Sequence, residues 1–312
     1  MSILKLENVT KTYDKHIAVN DVSFEIPKGC IFGLLGPNGA GKTSLIRIIT
    51  SITRADQGTV YLDGEKLSSQ HPYQIGYMPE ERGLYKKMKT GEHLMYLAQL
   101  RGLSKQKALS EINYWFEKFD IESWWDKRVE ELSKGMQQKI QFISTVIHRP
   151  KLLILDEPFS GLDPLNTNLI KDEINELQSN GTSIVFSTHR MEQVEEICEN
   201  IVLINQGKNV LEGSVKDVKN QFKENLFQIE YQGNLPADIN DKFKILTLKN
   251  NKIIVKLESE KNSNELLMYL LQEGVYVSAF HEILPSLNEI FIMQVGGGDG
   301  RPKTEDGSFL RP

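Results

Sequence analysis

The sequence predicts an α/β domain built on parallel strands covered on both faces, followed by a smaller α+β domain. Three observations carry this expectation. The runs "KLLILDEP" (151–158) and "GTSIVFSTH" (181–189) are short, apolar and flanked by polar turns, which is the composition of buried parallel strands. Between them, "PLNTNLIKDEINELQSNG" opens on Pro164 and closes on Gly181, the punctuation of a helix. From about residue 221 the texture changes. "LFQIEYQG", a strand pair around Asn250-Asn251, the helix "SNELLMYLLQEG", the strand "VYVSAF" and a short helix near "SLNEIFIM" form a compact unit of their own.

The remaining elements follow in order. Residues 1 to about 87 hold short β-rich runs, among them "CIFGLLG" and "TVYLDGEKL", the latter with an Asp63-Gly64 turn. Residues 88–148 switch to helical spacing in "EHLMYLAQLRG" and "KQKALSEINYWFEKF". Trp115, Trp124 and Trp125 all fall in this stretch and are expected to form the core of a small helical subdomain. The expected domains are therefore 1–220 and 221–295. The polar, Gly-rich stretch 296–312 is expected to be a disordered tail or vector-derived sequence. No internal repeat is evident.

Composition limits the function classes. With 312 residues, 39% hydrophobic and 25% charged, the chain is an ordinary globular protein able to bury two cores. A net charge of -5 and a pI near 5.8 argue against a general nucleic-acid binder, and no nucleic-acid partner is expected. Cys30 and Cys198 lack metal-type spacing and suggest inert thiols in a reduced setting. The opening residues lack the apolar core of a signal peptide, and no run of eighteen apolar residues occurs. Any work at a membrane is expected to be done from its surface.

The chemistry begins at Gly36. "GPNGAGKTS" fits G-x-x-x-x-G-K-[ST] between an expected strand and an expected helix. Glycines let the backbone curl so that several N–H groups converge on phosphate oxygens, Lys42 reaches the terminal phosphates, and the Thr43 hydroxyl can ligate Mg²⁺. In "LLILDEP", an apolar strand ends in two carboxylates. Asp156, at the carboxyl end where open parallel sheets bind ligands, suits a Mg²⁺-associated acid, and Glu157 suits a general base. Together these point to a nucleoside triphosphatase. After Ser133, apolar residues recur at Met136, Ile140, Ile143 and Ile147, so Ser133 caps a helix that ends near Pro150.

Five motifs in order, "GPNGAGKTS", "LSKGMQQK", "LLILDEP", "SGLDP" and the "STH" ending in His189, resemble the ABC ATPase family over roughly residues 2–220. The resemblance implies a P-loop ABC ATPase domain with a mixed sheet core, an antiparallel β part and a helical subdomain. It implies that Tyr13 stacks on adenine and that Gly36, Pro37, Asn38, Gly39, Ala40, Gly41, Lys42, Thr43 and Ser44 wrap the phosphates. It further implies that Asp156 organises Mg²⁺, Glu157 positions water, His189 contacts the γ-phosphate, and Asp163 belongs to a loop linking two active sites. Ser133, Gly135 and Gln137 would face the nucleotide of an opposite subunit in a head-to-tail dimer, of identical or related chains, holding two ATP molecules. Lys134 and Met136 depart from the family's Leu-Ser-Gly-Gly-Gln signature. Simpler roles are open at several positions: Tyr13 as a strand aromatic, Asp163 as a helix cap, His189 as a structural histidine.

"IGYMPEERGLYKKMKTGEHL" resembles the loop that docks a permease, and the whole chain is similar to ATPase subunits of sodium or drug exporters with separate permeases. A cytoplasmic location, peripheral at the inner face of the cell membrane, follows from that likeness. The rival expectation is a soluble ABC-type ATPase acting on DNA or ribosomes. Such relatives carry a coiled-coil insertion or two ATPase domains, and this chain has one phosphate loop and no sustained heptads. Glu80 stands where the family ordinarily has Gln. As a residue of the Mg²⁺ site it would add negative charge near Asp156 and Glu157, raising the pKa of one acid without the ion, while bound Mg²⁺ would offset the repulsion; the simpler expectation is that it faces solvent.

Overall fold

Alternating burial in the opening strands gives a sheet with one wet face. β1 (Ser2–Tyr13) and β2 (His16–Pro27) pair antiparallel, and from Val22 to Pro27 every second residue of β2 is buried. β3 (Ile31–Leu35) is buried throughout and leads into α1 (Lys42–Ile49). β4 (Gln57–Leu62) and β5 (Glu65–Lys66) meet across Asp63-Gly64, both at positive φ, the geometry of a tight hairpin turn. β6 (Ile75–Met78) precedes α2 (Thr90–Leu100), α3 (Lys105–Phe119) and α4 (Lys134–Val146). β7 (Leu152–Asp156), α5 (Pro164–Ser179), β8 (Ser183–Thr188), α6 (Met191–Ile197), β9 (Asn200–Asn205) and β10 (Lys208–Ser214) complete the first unit. This computed structural model describes residues 1–81, 83–258 and 262–295.

Two sheets result. One is antiparallel, in the order β2-β1-β4-β5; the other is mixed, in the order β10-β9-β3-β8-β7-β6, with only β10 running against its neighbour. β7 and β8 are buried at every residue, as expected of strands covered on both faces. A single apolar cluster joins the two sheets through residues such as Leu6, Phe24, Phe32, Ile46 and Ile154.

The helical stretch forms as its periodicity predicts, with a correction at the tryptophans. Trp115 is buried and packs edge-on against Phe119 and Phe142, at 5.5 and 5.9 Å between ring centroids. Trp124 and Trp125 are only half-buried. They fall in a short 3-10 turn (Glu122–Trp124) and just after it, off the helical stripe. Trp125 still covers Phe116, and it lies against Gly91, where an added Cβ would sit 2.4 Å from its ring.

The chain breaks into units between Ser214 and Val215, ahead of residue 220, because α7 (Val215–Gln221) goes with the second unit. There β11 (Leu226–Gln232), α8 (Ile239–Lys242), β12 (Lys244–Lys249), β13 (Lys252–Lys256), α9 (Ser263–Gln272), β14 (Tyr276–Ile283) and α10 (Leu287–Val295) follow. Its sheet is antiparallel, in the order β12-β13-β11-β14. Asn250 and Asn251, both at positive φ, turn β12 into β13. Leu266 and Leu270 of α9 pack with Ile229, Ile253 and Val255 in a core of their own. The expected tail at 296–312 lies outside the described residues. No described helix is long and apolar enough to cross a membrane.

Candidate nucleotide site

Parallel pairing gathers the site at the carboxyl ends of three strands. Leu35 of β3 pairs with Thr188 of β8, and Ser187 of β8 pairs with Asp156 of β7. The loop after β3, the acids after β7 and His189 after β8 therefore leave the sheet side by side, at the edge where such sheets bind ligands.

The loop after β3 is glycine-dependent. Gly36 and Gly41 hold φ of 149° and 109°, and an added Cβ would meet Ile204 O at 2.2 Å and Ala18 O at 2.3 Å. No side chain caps α1, and its first turn carries no acid. The leading N–H groups of a helix lack intrahelical partners and so face the loop as anion donors. Pro37 is half-buried, Asn38 and Gly39 are exposed, Ala40 is buried, Thr43 is exposed and Ser44 is half-buried. Lys42 Nζ donates to Gly36 O at 2.6 Å and Pro37 O at 3.2 Å. Burial pulls its pKa below the usual lysine range, while Asp156, Glu157 and Glu80 oppose the shift.

The two acids after β7 have different environments. Asp156 is buried, and its Oδ1 accepts from Ser187 Oγ at 2.7 Å. Its pKa is raised, first by desolvation; Ser187 and Lys42 lower it, and Glu157 and Glu80 add to the rise. Charge crowding, the cause expected from the sequence, is thus secondary to burial. Glu80 is exposed, yet its charge registers on both Lys42 and Asp156. Glu157 adopts φ of 50°, a conformation disfavoured for a residue with a Cβ. Its Oε1 accepts from His189 N at 2.8 Å and His189 Nδ1 at 2.6 Å, and its Oε2 accepts from Thr188 Oγ1 at 3.0 Å. A carboxylate has about four acceptor positions, so one remains. Because Nδ1 faces an acceptor it carries the proton, which leaves His189 Nε2 for another partner.

Other expected site residues form a second grouping. Ser133 caps α4, its Oγ accepting from Met136 N at 3.3 Å. Gly135 lies near Leu162 and Asn166, at 3.8 and 3.9 Å from an added Cβ, so packing within the chain would admit a side chain there. Asp163 caps α5, accepting from Asn166 N at 2.9 Å. Gln137 turns inward: its amide donates to Val129 O at 3.2 Å and Leu132 O at 2.9 Å, which occupies both N–H groups. Gln137 therefore braces the turn it was expected to furnish with phosphate donors. Tyr13 ends β1 with 39% of its surface exposed.

Ser187 and Thr188 were not singled out by sequence reasoning. The signal was present, since both are polar residues that follow the apolar run Ile184–Phe186, and both are fully buried. Cys30 and Cys198 are buried, and burial lifts both thiols, Cys30 to about 11, which fits inert cysteines.

The "GYMPEERGLYKKMKTGEHL" segment leaves β6 and is tied to the approach to α4. Glu130 N donates to Lys86 O and Val129 N to Met88 O, each at 3.0 Å. Tyr85 is exposed and packs edge-on against Tyr96 and His93. His93 is fully buried, with neither ring nitrogen hydrogen-bonded, and burial lowers its pKa to about 4.

The profile of the ABC transporter family matches residues 19–160, and that of the ATP-binding protein DrrA1-3-like C-terminal domain matches residues 213–295. The uncharacterized ABC transporter ATP-binding protein YhaQ of Bacillus subtilis is 44% identical over 296 residues, covering 94% of this chain and 99% of that protein. The lipopolysaccharide export system ATP-binding protein LptB of Haemophilus influenzae is 32% identical over 226 residues, 70% of this chain and 94% of its own. A solved ATP-binding subunit of an ABC transporter superposes with a TM-score of 0.67 at 29% identity, covering 71% of this chain and 93% of that one. The chain belongs to the ATP-binding proteins of ABC transporters and is a nucleotide-binding ATPase of that family.

Proposed function

We propose that this chain hydrolyses ATP in a head-to-tail dimer and thereby powers export by a separate membrane permease. The observation that carries the hydrolytic reading is the Glu157 carboxylate. It is held by His189 and Thr188 at a disfavoured φ, beside Lys42 and Asp156. Gly36 to Ser44 wrap the phosphates, and Lys42 leaves its loop carbonyls to meet the terminal ones. Tyr13 stacks on the adenine. Glu157 accepts a proton from water as the water attacks the γ-phosphorus, and ADP and inorganic phosphate leave. His189 orients Glu157 through Nδ1 and reaches the γ-phosphate through Nε2.

The residues fit a Mg²⁺ ion. Mg²⁺ takes one or two carboxylates together with substrate phosphates rather than an all-protein cage. Among the described residues no group of three or more His, Cys, Asp or Glu is arranged to hold a metal ion by itself, while Asp156 is a buried carboxylate whose raised pKa a cation would reverse. Thr43, Asp156 and Glu80 would hold the ion, which when bound neutralises phosphate charge.

Ser133 and Gly135 face the nucleotide of the second copy, or of a related chain, and Asp163 lies on the loop between the two sites. Space beside Gly135 within its own chain supports this, since its lack of a side chain then serves an outside partner. Residues 80–100, with exposed Tyr85 and Tyr96, receive the permease, which places the chain at the inner face of the membrane. Export rests on likeness to a relative that serves an export system.

The test is Glu157→Gln. Its Mg²⁺-dependent turnover is expected to fall by about 10²-fold or more, while ATP binding persists and ATP-bound dimer accumulates in size-exclusion chromatography. Undiminished turnover would remove Glu157 from the mechanism.

A further inference from the structure

Helix α4 sends two buried amides to two different loops. Gln138 and Gln141 are each 3% exposed and stand three residues apart, on one face of the helix. Gln138 Nε2 donates to Pro158 O at 2.9 Å, and Gln141 Nε2 donates to Pro79 O at 2.7 Å. Only the NH₂ end of an amide can face a carbonyl, which fixes both orientations. Pro158 follows Glu157, and Pro79 precedes Glu80. The same helix begins at the Ser133 cap and, through Gln137, holds the carbonyls of Val129 and Leu132.

Two features set this pair apart from ordinary core packing. Gln141 Oε1 is buried with no hydrogen-bond partner, a destabilising arrangement that an apolar side chain of similar shape would avoid. Glu157 sits at positive φ, and such a conformation persists only where its surroundings over-determine it. Gln138 holds the carbonyl of Pro158, the residue that follows Glu157.

We propose that Gln138 and Gln141 are positioning residues that fix the Glu157 and Glu80 loops to the Ser133 helix. Movement of that helix when a second copy engages it then sets both loops together. The inference rests on Glu157 acting as the base and Glu80 lying at the metal.

The test uses Gln138→Met and Gln141→Met, which keep side-chain length and remove the donor. Gln138→Met is expected to lower kcat about 10-fold or more, with KM for ATP and affinity for a fluorescent ATP analogue within about twofold of wild type. Gln141→Met is expected to raise the Mg²⁺ concentration for half-maximal rate severalfold, with ATP affinity unchanged. Thermal unfolding is followed in parallel. A lowered Tm with kcat and Mg²⁺ dependence unchanged in folded protein would overturn the proposal. Glu157→Gln is run in the same assay. If it is fully active, the assignment of the base fails; if it is inactive while Gln138→Met keeps wild-type kcat, only the positioning role fails. Should the methionine variants not fold, Gln138→Asn, whose shorter amide cannot span to Pro158 O, must lower kcat at unchanged KM, and an unchanged kcat overturns the role.

Discussion

The two units solve different problems with the same chemistry. In the first, buried polar and charged side chains run from His71 to Thr188, and Glu157, Ser51, Arg149 and Gln206 occupy positive φ. In the second, the buried side chains are apolar apart from the hydroxyl of Tyr231, and positive φ falls only on Asn and Gly among the described residues. Asn and Gly tolerate that conformation at little cost, whereas Glu does not. The first unit thus carries strain and desolvated charge where its strands end, and the second is a conventional core under a four-stranded sheet.

The sharpest way to break that contrast is to damage the second core and watch the first site. Leu266→Ala, in a fully buried position of α9, is expected to destabilise the second unit by about 3 kcal/mol and leave ATP affinity unchanged. Hydrogen exchange resolved to each unit, together with nucleotide titration, measures both. A comparable fall in ATP affinity would show that the units are not independent.

Acid should separate them next. Burial lowers the pKa of His93 and of His148 to about 4, from 6.5 in the unfolded chain. Between these values the unfolded chain binds more protons at each histidine, so their effect is to lower the stability of the first unit as pH drops below about 6.5 and on to about 4. For fully buried His93 the loss at pH 5 is on the order of 1–2 kcal/mol. In the second unit Glu230 and Asp238 have lowered pKa values through Lys252 and through Tyr269 and Lys242, so what they contribute survives to lower pH. Unit-resolved unfolding at pH 7 and pH 5 should show the first unit of His93→Leu losing less stability than that of the wild type, while the raised pKa values of Asp156 and Glu173 act in the opposite sense in both proteins.

The smallest effect concerns Glu80. Glu80→Gln keeps an oxygen and should largely retain hydrolysis, while Glu80→Ala should raise the Mg²⁺ requirement a few-fold. Superimposable rates against Mg²⁺ concentration for all three forms would show that Glu80 does not sense the metal.

Legibility in the sequence followed the range of the interactions. Gly36 to Ser44 and Leu152 to Glu157 could be read because their chemistry is contiguous: a strand, a turn and a helix start, or a strand ending in acids. The Asp63-Gly64 and Asn250-Asn251 turns were readable for the same reason. Gln138 and Gln141 were not, because nothing local shows that their amides reach carbonyls 20 and 62 residues away. Trp124 and Trp125 were misplaced because counting aromatics in a helical stretch ignores the 3-10 turn that lifts them out of the core. The bonds that hold Glu157 come from Ser187 and Thr188 of β8 and from His189 just after it, which only the fold brings alongside.

The central claim is that each phosphate site is completed by the Ser133 turn of another copy. Mixing chains bearing Lys42→Ala with chains bearing Ser133→Arg tests it most directly, because a head-to-tail pair then contains one undamaged composite site. Each variant alone should be nearly inactive, and the mixture should recover Mg²⁺-dependent ATP turnover in proportion to mixed dimer. Full-rate hydrolysis by Ser133→Arg as an isolated monomer, or a mixture no more active than its parts, would contradict it.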